Sequence, residues 1–215
     1  IELGFKRRRK MTEDERRRIA YHEAGHVIVT YLLHPTDDVF KASIISRRDA
    51  LGVVYHQPRE ELFTSSRNRI LANIKAALGG FVAEKLKFDS TSDGVAADFH
   101  NAMTQAHNMV WRLGMGTNGF VGDYEALLSS SMFRGAGTGD RLSDRMKDRL
   151  NEETHQILSQ CVKDVETLLK QEDLLLERFA NELLQKEELE YDDIEAVFVE
   201  YGKQRSAPGR PPPPS

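Results

Sequence analysis

Apolar positions recur at helical spacing over most of this chain and alternate over one short part of it. The first helical stretch is "RRRIAYHEAGHVIVTYLL", where Thr12 and Glu15 form a capping box ahead of it. It is predicted to stop near His34, because Pro35 disfavours helix at the residue before it. Its later half carries Val27, Ile28, Tyr31 and Leu32, so it is expected to lie in the core. Residues 39–57 hold two β-branched, partly alternating runs split by "RRDALG", which predicts a strand pair. Thr64 to Ser66 can cap a second helix, in which Ile70, Ile74, Leu78, Phe81 and Val82 keep helical spacing. Gly79 and Gly80 in its middle cost about 1 kcal/mol each against Ala, which suggests a close backbone approach. A third helix, "AADFHNAMTQAHNMVWRL", ends before Gly114 as its expected C-cap.

Beyond Gly114 the pattern fades. Residues 114–140 are rich in Gly and Ser and read as a long loop, and "GAGTGD" lacks the Lys-Ser/Thr ending of a phosphate-binding loop. From Leu142 to about Tyr201 the chain reads as helical. Leu142, Met146 and Leu150, then Leu168, Leu175, Phe179 and Leu183, mark the apolar stripes of a structural bundle. Residues 1–11 read as a basic linker and 204–215 as a disordered Pro-rich tail. The expected fold is mainly α: a helical core with a small β-sheet over 12–140, followed by a C-terminal helical bundle over 141–203.

Composition sharpens this in three ways. Hydrophobic residues at 40% and charged residues at 30% support a packed core. A formal net charge of −4 argues against a dedicated nucleic-acid binder. The single cysteine, Cys161, excludes an internal disulfide and a Cys-ligated zinc site. No apolar run is long enough to span a membrane. The chain opens on Ile1, so an upstream segment is expected, with room there for a membrane anchor.

The chemistry lies in "YHEAGH". Residues four apart on a helix share a face, so His22 and His26 can reach one ion. Zinc brings the pKa of a water down to about 7. Glu23, one step round, can take that water's proton and pass it to a leaving amine. With 7 histidines in 215 residues, a chance His-Glu-x-x-His match is expected at only about 2%. Gly25 inside the motif again suggests a close backbone approach. A catalytic zinc wants a third protein ligand. His34 falls eight residues after His26, not six, so the extended His-rich motif is absent. Glu84, Asp93, Asp98, His100 and His107 remain candidates, and spacing does not rank them.

Several segments, in order, resemble the protease domain of the FtsH family, the membrane-anchored ATP-dependent zinc proteases of peptidase family M41. "AYHEAGHVIV" is similar to its metal-motif helix, and "VFKASIISRRDALGVVYHQP" to its strand segment with "ALG". "LGGFVAEKL" is similar to its "LGGRAAEEL", "TSDGVAADFHNAMTQAHNMV" to its third-helix segment, and "MKDRLNEETHQIL" to the start of its C-terminal helices. The resemblance spans roughly residues 12–200. It implies zinc as cofactor, Asp98 as third ligand beside His22 and His26, and Glu84 as a neighbour of the ligands or the alternative ligand. It also implies an edge strand, Leu51, Gly52, Val53, Val54 and Tyr55, that pairs with substrate.

In the whole protein it implies an upstream ATPase module using ATP and Mg2+, a homo-hexamer, and unfolded polypeptides as substrates. The protease domain is then expected on the cytoplasmic or organellar matrix or stromal side of a membrane, and this segment alone is expected to be soluble. Residues 115–140 depart from the family pattern. An inactive ring-forming scaffold that binds peptide is the alternative, although neither histidine nor the glutamate is lost.

Overall fold

The computed structural model of the protein describes residues 11–45, 52–129 and 142–204. The expected linker before Met11, Leu51, and the Pro-rich tail after Gln204 lie outside them. Seven helices and three strands follow in chain order among the described residues: α1 (Glu13–Leu33), β1 (Asp37–Ser43), β2 (Val53–Pro58), α2 (Arg67–Phe88), α3 (Ala96–Trp111), α4 (Tyr124–Ser129), α5 (Asp144–Gln171), α6 (Asp173–Lys186), β3 (Glu188–Glu190) and α7 (Tyr191–Glu200). A short 3-10 turn, Asp93–Val95, leads into α3. The protein is mainly α with a small sheet, as the sequence predicts.

Local signals account for the first boundaries. Thr12 and Glu15 form the capping box of α1, and His34 is its C-cap, in extended backbone before Pro35. The Ser66 side chain caps α2 by accepting from the Arg69 N–H. α3 stops at Trp111, and Gly114 follows at φ 60, in the left-handed region that glycine adopts without strain.

The core has two parts. One joins α1 (Val27, Ile28), the sheet (Val39, Leu189), α6 (Phe179) and α7 (Phe198). Within it Tyr31 stacks on Phe198 with ring planes 7° apart. The other joins α2 (Ile74, Leu78), α3 (Met109) and α5 (Leu150, Ile157). The C-terminal helices thus pack on the N-terminal elements, α5 on α2 and α3, and α6 on α1.

Two elements depart from the sequence reading. The stretch after Leu142 holds a long helix and two shorter ones, within the helical reading, but β3 lies between the last two and pairs antiparallel with β1 through Leu189 and Ala42. Its residues, Glu-Leu-Glu, carry no strand signal. Pairing with Lys41 and complete burial of Leu189 hold it there. Glu187, at φ 64, makes the preceding break without a glycine. The loop region after Gly114 contains the short helix α4.

Among the described residues the sheet order is β2-β1-β3, so β2 lies at an edge there. It pairs antiparallel with β1, with a bulge at Phe40: Val39 faces His56 and Lys41 faces Tyr55.

Candidate metal centre

α1 and α2 cross through glycines. A Cβ on Gly79 would sit 2.7 Å from the Gly25 carbonyl oxygen, and one on Gly25 would collide with the Gly79 carbonyl. The close approach expected from these costly glycines is therefore present. It sets His22 and His26 of α1 against α2. The His22 ring lies over Gly80, where a Cβ would come within 2.5 Å of it.

Each imidazole is held from behind. His22 Nδ1 is 2.8 Å from Glu84 Oε1, and His26 Nδ1 is 2.7 Å from the Ala76 carbonyl. Both partners are acceptors, so each Nδ1 carries the hydrogen and each neutral Nε2 presents a lone pair. The two Nε2 atoms lie 3.0 Å apart. Asp98 Oδ2, from the first turn of α3, lies 3.1 Å from one and 3.3 Å from the other. With both rings neutral three acceptors converge, and they are satisfied either by a proton shared between His22 and Asp98 or by a metal cation. Metal–ligand bonds of roughly 2.0–2.1 Å at tetrahedral angles place ligand atoms about 3.3 Å apart, so the donor set fits zinc.

Electrostatics agree with attraction for positive charge. Burial works against charging His22, but hydrogen bonds to Asp98 and Glu84 outweigh it, and its pKa is pushed up to about 10. Burial would raise the Asp98 pKa, yet the hydrogen bonds from His22 and His26 hold it well below the usual carboxylate range. Glu23 is buried beside the rings, and burial pushes its carboxyl up against the opposing pull of His26 and His22. Its carboxylate abuts Gly52, where a Cβ would strike it.

The other candidates stand apart. Glu84 turns to the outer nitrogen of His22 and also binds Arg18 Nη1 at 3.1 Å, the Ser92 N–H at 2.6 Å and the Ser92 hydroxyl at 2.9 Å. Burial raises its pKa, and these bonds, His22 first, bring it below the ordinary value. His100 is exposed. His107 stacks on Trp111 and pairs with Glu125. Asp93 lines the same cleft but is not one of the three converging groups, His22, His26 and Asp98. Sequence reasoning missed Ala76, Ser92 and the packing of Gly52 on Glu23. A backbone carbonyl has no signature in a sequence, whereas the glycine of "ALG" did offer one.

The centre opens on a cleft of about 630 Å³. Gly52, Val53 and Val54 line it, and Tyr55 is exposed on the same strand. An edge strand beside a buried His-Glu-x-x-His helix and a converging carboxylate has the form of a zinc metalloprotease site.

Comparison with known proteins agrees. The sequence model of peptidase family M41 matches residues 9–197, and the chain belongs to that family. It is 33% identical over 211 residues to the ATP-dependent zinc metalloprotease FtsH of Thermobaculum terrenum, covering 97% of this chain and 32% of that protein. It is 31% identical over 214 residues to the FtsH of Veillonella parvula, covering 99% of this chain and 33% of that one. The chain spans about a third of the length of the relatives it matches.

Proposed function

We propose that this chain is the peptide-cleaving domain of an ATP-dependent, membrane-anchored zinc protease. His22, His26 and Asp98 hold the zinc, and Glu23 is the general base. The observation that carries this reading is the convergence of three acceptor atoms beside a buried glutamate. A bound zinc ion supplies Lewis acidity for the attack of water on a peptide carbonyl.

The chain's own groups do the rest. Glu84 and Ala76 fix both rings so that their Nε2 lone pairs point the same way. The Glu23 carboxylate, screened from bulk solvent, accepts a proton from the attacking water and delivers it to the leaving nitrogen. Gly52 and the start of β2, Val53 to Tyr55, offer an extended peptide the main-chain edge that no described strand pairs with. Main-chain pairing grips many sequences alike, which suits the degradation of unfolded polypeptides.

In the whole protein, an upstream module using ATP and Mg2+ would thread substrate through a homo-hexamer to such sites. The matched relatives are named ATP-dependent, and they are about three times this chain's length. Residues 1–11 would join that module to the metallopeptidase core, and 141–203 would complete it.

Glu23→Gln tests the chemistry. It is expected to lower casein cleavage by about 10²–10⁴-fold while stoichiometric zinc is retained. Undiminished cleavage in that variant would refute the role of Glu23.

A further inference from the structure

Farther along the cleft sits a polar group that the hydrolytic chemistry does not use. Alternation along β2 puts Gly52, Val54 and His56 on one face, and all three line the cleft. Gly52 touches Glu23. His56 is four residues on, about 13 Å along an extended strand. Asn73 of α2 lines the cleft as well.

Asp37, 3% exposed, orients both groups. Its Oδ2 lies 2.8 Å from His56 Nδ1, which fixes the hydrogen on that nitrogen and turns Nε2 outward along the ring. Its backbone N–H donates to His34 Nδ1 at 2.9 Å, so His34 carries its hydrogen on Nε2 and donates to Asn73 Oδ1 at 2.8 Å. That bond settles the Asn73 amide: its oxygen is occupied, and its NH2 has no partner among the described residues. Arg69 Nη2 approaches Asp37 at 3.7 Å, and Arg59 pairs with Asp38 on the neighbouring strand. The result is an amide donor beside an imidazole whose Nδ1 is held by a buried carboxylate.

We infer that His56 and Asn73 form a specificity subsite for an acidic substrate side chain, about four residues from the bond that is cut. A carboxylate there accepts from the Asn73 NH2 and, where a proton is taken up with it, from His56 Nε2, both hydrogen bonds being charge-assisted. The subsite presupposes that the cleft takes peptides, as proposed above.

The test uses fluorogenic peptides in which a single Glu, or Gln as its neutral match, is moved one position at a time along both sides of the cut bond. Two quantities are read: kcat/KM with the zinc-loaded chain, and peptide affinity of the Glu23→Gln variant by fluorescence anisotropy. Glu is expected to exceed Gln by about tenfold in affinity at one position three to five residues from the cut bond. His56→Thr, which suits an edge strand, and Asn73→Ala should each bring that ratio towards one. Equal affinity for Glu and Gln at every position, or a ratio untouched by both variants, overturns the subsite. Absence of cleavage with the affinity preference intact would instead sink the protease reading and leave the subsite standing.

Discussion

His22, His26 and Asp98 form one cluster; His34, His56 and Asp37 form another, farther along α1 and β2. The residue types are the same, and each cluster has a buried or half-buried carboxylate between two imidazoles. They differ in how their atoms are matched. In the second cluster three contacts join a donor to an acceptor, the Asp37 N–H to His34, His34 to Asn73 and His56 to Asp37, and a single acceptor pair, His34 Nδ1 and Asp37 Oδ1, stays at 3.2 Å. In the first, the outer nitrogens are satisfied and three acceptors are left facing one another. Unmatched acceptors, rather than the residue types, mark a place for a cation.

The largest expected effect tests that distinction directly. Asp98→Asn should lower zinc affinity by at least about 100-fold, and peptide cleavage should go with it. His34→Gln should keep stoichiometric zinc. Equal zinc content in the two purified variants, measured by atomic emission after dialysis, would erase the difference between the clusters.

Next come the glycines that seat the first cluster. Gly80→Ala intrudes on the His22 ring and is expected to weaken zinc binding by about 10–100-fold, as loss of a ligand's support does. Gly52→Ala intrudes on Glu23 instead. It should spare zinc and lower kcat by roughly 100-fold. Competition with a chromophoric chelator and steady-state kinetics separate the two, and a matching pattern in both variants would contradict the geometry.

The smallest effect concerns the second cluster. Burial lowers the His34 pKa, and its bond to Asn73 and the charge of Asp37 oppose this only in part. Its contribution to stability is therefore fully present above the unfolded value near 6.5. It is lost as pH falls towards the lower folded pKa. The midpoint advantage in urea of the chain over His34→Gln should shrink between about pH 7.5 and 5.5, a difference in which the opposite trend from the raised His22 pKa cancels. An advantage that holds or grows over that range would show that His34 is not held neutral.

Much of this architecture is legible in the sequence, for local reasons. The Thr12–Glu15 box and Ser66 mark two helix starts, and Pro35 marks a stop. Gly25, Gly79 and Gly80 are poor helix residues whose cost points to the crossing that the structure contains. Spacing left five candidates for the third group beside the histidines. The resemblance pointed to Asp98, and the fold brings that residue, not Glu84, to the Nε2 atoms. What stayed hidden depends on distant partners. β3 exists because Leu189 is buried against β1, and Glu187 turns the chain without a glycine. The aim of His56 depends on the bulge at Phe40, which no local pattern announces.

The glycine crossing has a consequence for how the centre comes together. Both histidines ride on α1, while Ala76, Gly80 and Glu84, which support them, ride on α2. Sliding one helix past the other by a single residue, about 1.5 Å, would break both Nδ1 bonds at once. Gly25 and Gly79 thus act as a detent that fixes the sliding position of the pair. The outer supports of both rings are therefore made or lost together, while Asp98 joins them from α3.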